Sequence, residues 1–156
     1  MAKYAVITRE KMVSEYDGTK RIAVKIDEEL QNGSVVVVGD LVDGEREIYA
    51  TSKPAANTDI NNIVILTSPE VDADERKKSL SDFVNPTTKP ATGDYICKND
   101  IFSLTAEGFD GEPKKGAIVE LQAGYKLKAV ASATGGSTVV GKIIDFVNGK
   151  YAVQAN

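Results

Sequence analysis

Histidine and tryptophan are absent from this chain, and cysteine occurs once. Histidine is the only side chain whose unperturbed pKa lies near neutrality. Its absence removes the commonest general base, proton shuttle and zinc ligand together. Catalysis would have to rest on carboxylates, lysine, tyrosine or the single thiol. Cys97 has no partner for an internal disulfide, and a cysteine-rich zinc site is excluded. It reads as a small buried hydrophobe, since a nucleophilic cysteine needs a neighbouring base. No apolar run approaches the roughly 20 residues of a membrane-spanning helix, so no membrane association is expected. Nor is there an excess of positive charge. The 19 basic and 23 acidic residues are interspersed and leave a formal charge of −4. That balance argues against a phosphate-binding face, and nucleic acid is not an expected partner.

What remains is a chain of 156 residues, long enough for one well-buried core, since a domain near 150 residues buries about 68–70% of its unfolded surface. The apolar stretch in Met1–Thr8 is too short for a signal peptide and charges follow at once, which predicts synthesis in a cytoplasm. Asn32-Gly33-Ser34 matches a glycosylation acceptor but reads more simply as a tight turn.

Short β-branched runs dominate. Tyr4–Thr8 and Ile22–Ile26 are strand candidates, the latter with the two-residue alternation of a half-buried strand. Val35–Val38 is too short and too branched for a helix and predicts a strand covered on both faces. Left exposed, it would invite edge pairing, so the domain or another subunit must cover it. Glu45–Ala50 and Ile63–Leu66 read as further strands, separated by a polar loop over Ser52–Asn62. Asp72–Phe83 is the one helix candidate, with Asp72 as N-cap, Glu75 three residues on, and Leu80 and Phe83 at helical spacing.

Asn85–Gly93, with Pro86 and Pro90, is the most loop-like segment and a candidate divider between two lobes. Beyond it, Tyr95–Thr105 predicts one or two strands broken near Asn99-Asp100, and Gly108–Lys115 a charged turn. Gly116–Leu121, Lys126–Ala131, Thr138–Val147 and Lys150–Gln154 follow as strands, with Asn148-Gly149 the clearest hairpin signal. Asn32–Val36 and Lys115–Val119 share a turn followed by a β-branched pair, but no fixed period makes a repeat of them. The expected fold is mainly β, a β-barrel or β-sandwich with one or two short helices.

The candidate chemical motifs favour ordinary readings. Glu70, Asp72, Asp74 and Glu75 lack the glycine and the spaced final glutamate of an EF-hand, and fit a solvated helix start. Asp27, Glu28 and Glu29 have no context of paired glycosidase carboxylates. Gly135-Gly136-Ser137-Thr138 lacks the Gly-Lys-Thr/Ser of a phosphate loop and reads as a hairpin loop. Lys77-Lys78 and Lys114-Lys115 are isolated pairs flanked by acids. No catalytic, cofactor-binding or metal-binding residue is assigned, and no cofactor is expected.

Several phrases in order resemble a family of tailed-bacteriophage structural proteins. They are Asn32–Val37 leading to Gly44–Tyr49, then Ser81–Asn85 and Lys98–Thr105. Gly116–Val119 and Val140–Ile144 resemble the glycine-bounded barrel ending of capsid decoration proteins, and the likeness covers most of the chain from Asn32 onward. The resemblance implies a head-decoration or cement protein, a non-enzymatic virion component on the exterior of the capsid, synthesised in the host cytoplasm. Its implied partners are the major capsid protein and itself, as a homotrimer.

In that family the N-terminal arm adds strand contacts on the shell, which makes Tyr4, Val6 and Ile7 candidate partner-binding residues. The alternative for these three is an ordinary first strand. Residues 1–30 then form an arm with the first strands, and 31–156 a β-rich decoration domain whose two lobes would divide near 85–93. The competing functions are a tail or connector subunit and, less favoured, a carboxylate-based enzyme.

Overall fold

The β-branched runs become strands in the computed structural model, which describes residues 3–71 and 79–156. The protein is mainly β, with 42% of its residues in strands and 10% in short 3-10 turns. In chain order the strands are β1 (Ile7–Lys11), β2 (Arg21–Lys25), β3 (Val35–Leu41), β4 (Ile48–Ser52), β5 (Ile63–Leu66) and β6 (Ala91–Tyr95), followed by β7 (Ile101–Thr105), β8 (Phe109–Gly111), β9 (Ile118–Glu120), β10 (Leu127–Val130), β11 (Val139–Val147) and β12 (Lys150–Ala155).

Five strands close into a barrel in the order β2-β4-β3-β5-β6, and the other seven form a curled half-barrel sheet in the order β1-β7-β12-β11-β9-β10-β8. β1 therefore leaves its sequence neighbours and pairs with β7, Ile7 opposite Leu104 and Arg9 opposite Phe102.

Two hydrophobic clusters explain why the Val35–Val38 half of β3 and all of β5 are apolar without a break. Val36, Val64 and Leu66 fill the barrel with Val24, Ile26 and Ala91. Val35, Ile63 and Ile65 point the other way, into the core shared with Phe102, Leu104, Leu127, Ile143 and Val153 of the sheet. Successive strand residues face opposite sides, so a strand between two cores has no solvent face left for polar residues. Each fully buried Val, Ile or Leu contributes about 1.5–3 kcal/mol, which makes the junction between the two sheets a principal source of stability. Val35 and Val36 are fully buried within the chain's own fold, and Val37 and Val38 are half-buried.

The structure moves several boundaries. Of the helix expected over Asp72–Phe83, residues 72–78 lie outside the described residues. Its end is a single 3-10 turn at Leu80–Asp82, capped by reciprocal bonds between Ser79 and Asp82. Ala91–Gly93, read as loop, belongs to β6, and the chain passes from barrel to sheet after Tyr95. Phe109–Gly111, read as turn, is a short strand parallel to β10. The first strand begins at Ile7, later than Tyr4, and the strand sought at Glu45–Ala50 starts at Ile48. At Asn148-Gly149 both residues have positive φ, 53° and 78°, and the β11–β12 hairpin turns there.

Candidate interaction surface

Asp94 is fully buried on β6, facing out of the barrel towards the sheet, and a buried carboxylate is tolerated only with close partners. Its Oδ1 accepts from Arg21 Nε at 2.9 Å, and its Oδ2 accepts from Thr67 Oγ1 at 3.0 Å. Arg9 Nη1, arriving from β1, stands 3.4 Å from the same Oδ2 and 3.2 Å from Glu15 Oε1. The cluster ties the first strand of the sheet to the wall of the barrel. The backbone reinforces it, since Ala5 N donates to Gln31 Oε1, Thr105 N to Val6 O, and Tyr4 N to Ser81 O.

The pairing phase of β1 leaves one edge open. The Val6–Thr105 bond places the main-chain groups of Val6 and Thr8 towards β7, so those of Ile7 and Arg9 point outward. They have no hydrogen-bond partner among the described residues. Along this edge runs a groove of about 490 Å³. Val6, Ile7, Thr8 and Arg9 form one wall. Arg21, Thr67, Ser68, Pro69 and Thr92 form the other, with Glu15, Glu70, Leu80 and Lys150 at its margins.

Some of the exposed apolar side chains lie at this groove. Among the described residues the large ones are Val13, Tyr16, Leu41, Val71, Leu80, Phe146 and Val147. Leu80, 54% exposed, lines the groove itself. Val71 follows Glu70, and Tyr16 follows Glu15, both at the margin. Val147, also 54% exposed, is the cross-strand partner of Lys150, whose ammonium donates to Thr8 Oγ1. Phe146 stacks on Tyr151 with ring centroids 4.5 Å apart. Exposed apolar groups beside charged ones are common at contact surfaces, and Leu80 and Val147 are such groups here.

Of the three residues singled out from the sequence, Val6 and Ile7 are each 8% exposed and line the groove while packing into the fold. Tyr4 is half-buried and borders a different cleft. The arrangement brings Val6 and Ile7 together and sets Tyr4 apart. Sequence reading missed Arg9, Arg21 and Asp94. No local pattern singles them out, because Arg9 and Asp94 lie in polar strands, Arg21 stands at the end of β2, and the partners lie 73 and 85 residues apart.

The other buried carboxylates are bonded as well. Asp100 accepts from Val13 N and Cys97 N, at 3.0 and 2.8 Å, and Glu120 accepts from Thr134 N at 3.1 Å. Among the described residues, no group of three or more metal-ligating side chains converges. No helix among them is long and apolar enough to cross a membrane. Burial pushes the Cys97 thiol above its ordinary pKa, and the Asp100 charge adds to the rise. The thiolate is the reactive form, so alkylation of Cys97 by iodoacetamide at neutral pH is expected to be slower than that of free cysteine. Its rate should climb only at higher pH, and a pH–rate profile with a midpoint below free cysteine's would contradict this assignment. No family model matches the chain, and neither does any curated protein or solved structure.

Proposed function

We propose that this chain is a non-enzymatic virion protein that binds the outer surface of a bacteriophage capsid, as a homotrimer, and stabilises the shell. The observation that carries the reading is the open edge of β1, with outward main-chain groups at Ile7 and Arg9 beside exposed Leu80, Val71 and Val147. An extended segment of the major capsid protein adds to such an edge by main-chain hydrogen bonds, and the apolar rim buries side chains on either side of it. The resemblance of several phrases to capsid decoration proteins is what points to a phage shell as the partner. The physical reason for stabilisation is linkage, because a ligand that binds assembled shell and not free subunits favours assembly. Trimeric engagement makes the second and third contacts intramolecular and prolongs attachment.

The test mixes purified protein with phage shells lacking it, pellets the particles and compares their thermal disruption. Saturable binding and a higher disruption temperature are expected for the wild type. Leu80→Glu combined with Val147→Glu, both at exposed positions that leave the core intact, is expected to weaken binding about tenfold or more. Absence of co-sedimentation, or binding with no gain in shell resistance, would overturn the capsid assignment.

A further inference from the structure

We infer that a second cleft, bordered by Tyr4 and Tyr125, is a binding site for a neutral saccharide. The cleft measures about 540 Å³ and opens where the chain after β2 meets the β9–β10 connection. This lies within the roughly 300–1,000 Å³ of ordinary small-ligand sites. Tyr125 is held from below, since it packs against the barrel core and its carbonyl accepts from Val35 N at 2.8 Å. Over its other face lies the exposed Lys53 ammonium, 5.3 Å from the ring centroid. The Tyr4 ring carries Lys3 in the same way, at 5.2 Å. An exposed cation–π contact is worth only about 0.5–1 kcal/mol, so a flexible lysine yields the ring face to a better-fitting group.

The rim supplies hydrogen bonds. Gln122 Nε2 donates to Asp110 Oδ2 at 2.6 Å and to Lys126 O at 3.1 Å. This fixes the amide, while its Oε1 has no partner among the described residues. Burial, with the charges of Glu28 and Asp27, pushes the Tyr125 hydroxyl above its ordinary pKa and keeps it a donor at neutral pH. The surrounding lysines are offset by Glu29 and Asp110, so no single sign of charge prevails. Aromatic platforms edged by fixed amide, hydroxyl and carboxylate groups, without net charge, suit the C–H face and hydroxyls of a neutral sugar. A phosphate or a quaternary ammonium would meet an opposing and a like charge together.

Because the chain has no tryptophan, its fluorescence comes from six tyrosines, two of which, Tyr4 and Tyr125, border this cleft, and the part of the signal lost in Tyr125→Phe reports on the site. The experiment titrates the full chain with chitotriose, maltotriose and cellotriose, and with choline and inorganic phosphate as controls. Saturable binding of at least one trisaccharide is expected. It should be weakened about tenfold by Tyr125→Ala and by Gln122→Ala, and less by Tyr125→Phe, which keeps the ring platform and loses only the hydroxyl's hydrogen bond. Gln122 bonds only to exposed groups, so its variant keeps the test valid if Tyr125→Ala does not fold. Binding of choline or phosphate in place of the sugars, no binding at all, or unchanged affinity in Gln122→Ala would overturn the assignment. Leu80→Glu with Val147→Glu should leave saccharide binding unchanged, which separates this site from the shell-binding edge.

Discussion

Replacing Arg9 and Arg21 together by methionine is expected to destabilise the protein by about 4 kcal/mol, within the ~3–5 kcal/mol typical of stranding one partner of a buried pair. Asp94 has no exposed side-chain surface, whereas Arg9 and Arg21 retain 24% and 36% of theirs. The asymmetry decides the direction. Removing the carboxylate leaves two guanidinium groups that reach water, while removing the guanidinium groups leaves a charge that cannot. Asp94→Asn should therefore cost less, about 2 kcal/mol, because the amide keeps a bond to Thr67 and the arginines turn outward. A triple variant that also carries Asp94→Leu should recover most of the loss, since a well-packed apolar set replaces a buried ion cluster at little net cost. Urea denaturation of the four proteins checks the order. Equal losses in the arginine pair and in Asp94→Asn would show that Asp94 reaches solvent in the folded protein.

That cluster also marks the limit of what the sequence discloses. Val35–Val38 and Ile63–Leu66 were legible as buried strands because β-branched runs leave no polar face, and both strands do serve two cores. The hairpin at Asn148-Gly149 was legible for an equally local reason, two consecutive residues that tolerate positive φ. β6 was not, because Ala91-Thr92-Gly93, directly after Pro90, reads as turn chemistry. Asp94 is a strand residue through main-chain pairing with Arg21 and Ile65, and its buried carboxylate is held by Arg21, Arg9 and Thr67, all brought from far away in the chain. β8 escaped notice because Phe109 is its one buried apolar residue in three. The groove was illegible as a site, although two of its residues were named, since its walls come from residues 6–9, 21, 67–69 and 92. Exposure of Leu80 and Val147 is likewise a tertiary property. Each would have passed for a core residue in its local pattern.

Gly33→Ala is expected to destabilise by about 3 kcal/mol, combining roughly 1–2 kcal/mol for an L-residue at positive φ with 1–3 kcal/mol for overpacking. Gly33 has φ +86°, and a Cβ there would lie 2.3 Å from Leu104 Cδ1. Leu104 is fully buried, pairs with Ile7 on one side and Tyr151 on the other, and presses its side chain onto the segment leading into β3. Gly108 receives the same side chain from the other direction, its notional Cβ 2.5 Å from Leu104 Cδ2. Leu104 is thus seated between two backbone positions that admit it only as glycine, and this seat joins the half-barrel sheet to the barrel. Leu104→Ala alone should cost about 3 kcal/mol through lost burial and the cavity left behind. The double variant should cost less than the sum by about 1 kcal/mol or more, because the shortened side chain removes the clash and leaves only the backbone strain at Gly33. Equilibrium unfolding of the two single variants and the double variant measures this coupling. Strict additivity would mean that the added methyl is accommodated elsewhere and that the Leu104 seat does not lock the two sheets together.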